Sequence, residues 1–78
     1  MSEVVFDSDG LVITKVGTRF FVRYDAGAHQ PAVREDEISP EEAQRMMSSD
    51  GEATKVLFEL QNRLIQTGIN PYVSNIKS

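Results

Sequence analysis

No cysteine and no tryptophan occur in this sequence, and His29 is its single histidine. Without cysteine there is no disulfide scaffold, no thiolate nucleophile and no thiolate metal ligand. No apolar run approaches the roughly 20 residues that a membrane-spanning helix needs. The opening residues, Met1-Ser2-Glu3, set no basic region ahead of an apolar stretch, so no signal peptide is expected. These absences lead to the expectation of a cytoplasmic chain with no membrane partner. Gly-rich phosphate loops, Cys/His metal spacings and the Gly-x-Ser-x-Gly nucleophile elbow are absent too, so no cofactor is expected.

What remains is a chain of 78 residues, 40% hydrophobic, with 12 acidic against 8 basic residues and a net charge of −4. That length suits one small domain over 1–78, and that hydrophobic content suits a folded chain better than a disordered one. The charge is unevenly laid out. Residues 1–34 balance four acids against four bases. Residues 35–52 carry seven acids against Arg45 alone, a local charge of −6. Residues 53–78 set Glu59 against Lys55, Arg63 and Lys77, a local charge of +2. An acidic chain is a poor general binder of nucleic acid, because contacts to phosphate supply most of that affinity.

The first third reads as strands. Val4-Val5-Phe6 is short, β-branched and aromatic, and Asp7-Ser8-Asp9-Gly10 supplies turn chemistry behind it. The segment also opens like a calcium loop, but its Gly arrives too early for an EF-hand and apolar residues follow, so a turn is the reading. Leu11–Val16 and Arg19–Tyr24 flank Gly17-Thr18, the pattern of a two-residue hairpin. Such a loop sets Val16 opposite Arg19, Lys15 opposite Phe20, Thr14 opposite Phe21, Ile13 opposite Val22, Val12 opposite Arg23 and Leu11 opposite Tyr24. Because side chains alternate, Leu11, Ile13, Phe20, Val22 and Tyr24 share a core face with Lys15 at its end. Val12, Thr14, Val16, Arg19, Phe21 and Arg23 share a mixed face, solvated or partly covered. Residues 25–31 read as a loop, and Ala32-Val33-Arg34-Glu35 offers a fourth, edge strand charged enough to resist further pairing.

The second half is helical. Ser39-Pro40-Glu41-Glu42 combines an N-cap, a proline for the first helical position and a capping-box Glu. A short helix to about Ser48 is expected. Ser49-Asp50-Gly51-Glu52 repeats the capping logic for a long helix ending near Thr67, with Gly68 as its stop. Ala53, Val56, Leu57, Leu60 and Leu64 form one apolar stripe, and Phe58 and Ile65 widen it. The apolar Ile69-Asn70-Pro71-Tyr72-Val73 predicts that Ile69, Tyr72 or both pack back on the core. The fold class is therefore α+β. Three antiparallel strands in a meander, with the fourth edge strand as an option, precede a short and a long helix that pack on one sheet face. About a dozen large apolar residues contribute some 1.5–3 kcal/mol each, a sum nearly offset by chain entropy, so a marginal monomer and a dimer both fit.

Chemistry is sparse. His29 has no acidic neighbour closer than Asp25 and reads as a loop histidine, so no catalytic residue is assigned and a non-enzymatic protein is expected. Met46-Met47 reads as core filling. The densest carboxylate cluster is Glu35, Asp36 and Glu37 with Glu41 and Glu42. Glu41 and Glu42 are explained by the helix dipole, and the cluster as a whole suits electrostatic docking of a basic protein partner. Arg19, Phe21 and Arg23 interleave on one hairpin face, an alternative surface for stacking a base or gripping phosphate, although net −4 makes nucleic acid a weak reading. The expected function is thus a small acidic protein-interaction module docking through residues 35–42. The alternatives are a homodimeric accessory protein, joined through the hairpin's mixed face or through Phe58 and Ile65, and a weak nucleic-acid-associated domain.

Overall fold

Strands come first and helices second in the computed structural model, which describes residues 2–8, 10–27 and 32–76. The elements are β1 (Ser2–Ser8), β2 (Leu11–Val16), β3 (Arg19–Asp25), β4 (Val33–Ile38), α1 (Pro40–Ser48) and α2 (Asp50–Gln66). The strands form one antiparallel sheet in chain order. His29 and Asp9 lie outside the described residues.

The central hairpin has the register that its turn dictates. Val12, Ile13, Thr14, Lys15 and Val16 face Arg23, Val22, Phe21, Phe20 and Arg19. Gly17 takes a φ of 62°, the positive value that glycine adopts at no steric cost. β1 is longer than the apolar triplet suggested. Asp7 and Ser8, expected in the turn, instead pair with Val12 and Leu11 as the last residues of the strand. A bulge lies between Val4 and Phe6. One extra residue resets the alternation, so Val5 and Phe6 both pack against the core. β4 also runs further than 32–35. Ile38, which pairs with Phe20 and is 3% exposed, anchors its far end in the core.

Both helices start where the capping residues place them. Ser39 Oγ accepts from the Glu42 N–H at 3.1 Å, and Glu42 Oε1 accepts from the Ser39 N–H at 2.9 Å. Ser49 caps α2 by accepting from the Glu52 N–H. Such caps contribute about 1 kcal/mol each. The core gathers Ile13, Val22, Tyr24 and Ile38 from the sheet, Ala43 and Met46 from α1, and Val56 and Leu60 from α2. Ala53, Leu57 and Leu64 pack partly against it. Both helices therefore cover the same sheet face, while Phe58 and Ile65 stay exposed.

The C-terminal segment does return to the body, but through other atoms than the apolar pattern implied. Ile69 and Tyr72 are exposed and Pro71 is the buried residue. Its contacts are mainly polar and run along β4. Arg34 Nη1 donates to the carbonyls of Asn70 (3.3 Å) and Val73 (2.6 Å). The Asn75 carboxamide accepts from the Glu35 N–H and donates to the Glu35 carbonyl, each at 2.8 Å. Ser74 donates its hydroxyl to the Val33 carbonyl. An edge strand presents backbone groups that need partners, and these side chains supply them.

Candidate interaction surface

The face of the sheet away from the helices carries three side chains from each of the four strands, set by alternation and, in β1, by its bulge. β1 contributes Ser2, Val4 and Asp7. β2 contributes Val12, Thr14 and Val16. β3 contributes Arg19, Phe21 and Arg23, and β4 contributes Val33, Glu35 and Glu37. Thr14 lies at the middle. Val4 and Phe21 flank it across the strands, and Val12 and Val16 flank it along β2. A small residue ringed by larger ones makes a trough of about 520 Å³, lined by Ser2, Val4, Val12, Thr14, Val16, Phe21, Arg23 and Glu35. Val4 is 60% exposed and Val16 39%, so the lining is open to solvent.

The two sets of candidate residues meet on this face. Arg23 sits opposite Glu35, with Nε 3.7 Å from the carboxylate. Arg19 reaches diagonally to Glu37, with Nε and Nη2 donating to the two carboxylate oxygens at 3.0 and 2.8 Å. This two-point bond holds the Glu37 carboxyl below the usual carboxylate range and raises Arg19. The Arg19 guanidinium also lies 5.3 Å from the centroid of the Phe21 ring. The alternative surface and two of the five cluster carboxylates, Glu35 and Glu37, thus form a single Arg–Glu ladder.

The other carboxylates are elsewhere. Asp36 points to the helix side and bonds Arg34 through both oxygens, at 3.0 and 3.1 Å. Glu42 closes the α1 cap and lies 3.3 Å from Arg63 on α2. Glu41 is exposed and meets no cation among the described residues. The five carboxylates Glu35, Asp36, Glu37, Glu41 and Glu42 are therefore spread over two sheet faces and a helix start. All five arginines already lie within 4 Å of a carboxylate, since Arg45 completes the set through Glu52 and Glu59.

Sequence reasoning missed the buried network of Arg34, Asp36 and Tyr24. Arg34 is 4% exposed, and the Tyr24 hydroxyl donates to Asp36 Oδ2 at 2.9 Å. One signal was available. If β4 runs on to Ile38, the alternation that turns Ile38 inward also turns Arg34 and Asp36 inward. Burial, and next the Asp36 carboxylate, push the Tyr24 hydroxyl up to about 12 from its ordinary 10.0. The folded state thus favours the protonated phenol. This part of the stability is complete below pH 10 and is lost as pH rises from 10 towards 12. In a Tyr72→Phe chain, where Tyr24 is the remaining tyrosine, phenolate absorbance should rise with a midpoint near 12. A midpoint at the ordinary value would show that Tyr24 is neither buried nor bonded to Asp36.

The residues described define a two-layer α+β protein, with helices on one sheet face and a laddered trough on the other. No known protein family, curated protein or solved structure matches the chain. Among the described residues, no three His, Asp or Glu side chains converge to hold a metal ion, and no helix is long and apolar enough to cross a membrane.

Proposed function

We propose that this is a non-enzymatic protein-interaction module whose docking surface is the outer sheet face. One observation carries the reading: both helices cover one side of the sheet, and the side left open carries Val4, Val12, Val16 and Phe21 beside the Arg–Glu ladder. An apolar centre rimmed by charged groups is the usual make-up of a protein interface. Glu35 and Glu37, the part of the acidic segment that lies here, serve as rim residues. Arg19 and Arg23 are held by those carboxylates, which favours a protein over a phosphate backbone as the occupant.

Val12→Lys and Phe21→Lys place charge on the solvent side of the sheet and should leave the melting temperature within a few degrees of the parent. A photo-crosslinking residue at Thr14 should join the chain to protein at native concentrations, and either lysine variant should abolish the product. The same group at Asn62, on the exposed side of α2, should give none. Equal crosslinking with and without the lysine variants would remove the outer face from consideration.

A further inference from the structure

We infer that the occupant of the outer face is a second copy of this chain, packed face to face about a two-fold axis that runs along β2. The inference rests on the docking surface proposed above and names its partner. An axis along β2 sets β2 over β2 and β1 over β3 of the second copy. The strand registers then decide what meets what. Thr14, Val12 and Val16 each face their own counterparts. Val4 faces Phe21 of the second copy. Asp7 and Arg23 flank Val12 on its two sides, so Asp7 faces Arg23 of the second copy, and this pair forms twice.

The charges support this axis. Asp7 meets no cation within its own chain among the described residues. Arg23 holds Glu35 by a single 3.7 Å approach, against the two short bonds of Arg19 to Glu37, so its guanidinium keeps donors for a second carboxylate. β4 overhangs the contact, so Glu35 and Glu37 stay in water. A two-fold axis running across the strands through Thr14 would instead stack Glu37 over Glu37 of the second copy, and one at the level of Ile13 would stack Glu37 over Glu35 and Val4 over Asp7; both pair like charge with like.

The other surfaces suit a second copy less well. The β4 edge is closed over Val33 and Glu35 by Ser74 and Asn75. The β1 edge is interrupted by its bulge, and an antiparallel pairing centred on Val5 sets Glu3 against Asp7. Phe58 and Ile65 stand a heptad apart, with Gln61 and Asn62 between them on that side of the helix. The contact engages three strands per copy, each about 20 Å long and about 4.8 Å from the next, which is small for a specific interface. The dimer is therefore a weak one that forms as concentration rises.

Sedimentation of the full chain from 10 μM to 1 mM tests the inference. The expected result is a monomer–dimer equilibrium within that range. Asp7→Arg and Arg23→Asp should each weaken the dimer about tenfold, and the double exchange should restore most of the loss. With Thr14→Cys as the sole thiol, a short bismaleimide should join two copies, while Asn62→Cys should give no such product. A strict monomer at 1 mM, dimers with no response to either charge variant, or crosslinking through Asn62→Cys would each overturn the inference. Failure of the docking reading itself looks different. If the Thr14 photo-crosslink joins some other protein and Val12→Lys abolishes it, the surface stands and only the second copy is lost. If Thr14 joins nothing at native concentrations and nothing at 1 mM, both fall.

Discussion

Replacing Leu60 with Asp is expected to leave the chain mostly unfolded at 25 °C. Leu60 is 1% exposed and sits where α2 meets Ile13, Val22 and Met46 in the core cluster. Truncating such a leucine to alanine costs about 2–5 kcal/mol through lost burial and the cavity left behind. A carboxylate adds its own desolvation, either as a buried charge or as the work of keeping it protonated. A domain of this size has a total stability of only about 5–15 kcal/mol. Loss of helical circular dichroism and of a cooperative melt is the expected outcome, and a cooperative transition near the parental temperature would contradict this core.

Arg34→Met is expected to be the next most damaging change, and it probes different physics. The guanidinium bonds both oxygens of Asp36 and two carbonyls of the C-terminal segment from a position 4% exposed. Methionine fills much of the volume but leaves the Asp36 charge with only the neutral Tyr24 hydroxyl and a long 3.4 Å bond from Asn75 Nδ2. Removing one member of a buried pair costs about 3–5 kcal/mol, since the other charge is left uncompensated. Two measurements check this: the urea midpoint should fall, and the Glu35 amide, which donates to Asn75, should exchange faster as the segment loosens. Arg34→Met combined with Asp36→Leu should recover much of the stability, because that pair is replaced by apolar packing. If the double variant is as unstable as the single one, the loss lies in the carbonyl contacts to Asn70 and Val73 and not in the stranded charge.

The parts of the fold legible in the sequence share a short range. The Gly17-Thr18 loop sets a hairpin register because two residues leave few ways to close it. Ser39, Pro40 and Glu42 set a helix start because cap, proline and capping carboxylate all act within one turn. The stripe from Ala53 to Leu64 faces inward because helical spacing puts those side chains on one side. The bulge at Val5 was not legible. It depends on how β1 meets β2, and neither strand alone records that meeting. The exposure of Ile69 and Tyr72 was hidden for a similar reason. The groups that dock their segment are Arg34 and Asn75, 41 residues apart in the chain.

The candidate surface shows the same division. By sequence alone, the acidic run holding Glu35 and Glu37 and the interleaved face of Arg19, Phe21 and Arg23 are two separate surfaces. Only the pairing of β3 with β4 showed that they are one ladder, and that Asp36 belongs to the other side of the sheet. Composition, periodicity and turn chemistry determined the element order, the α+β class and the absence of thiolate chemistry, because each follows from residues within a few positions of one another. The fold alone decided which sheet face the helices leave open, which charges neutralise each other and which arginine is buried, because those outcomes depend on strand register and on contacts between residues far apart in the chain.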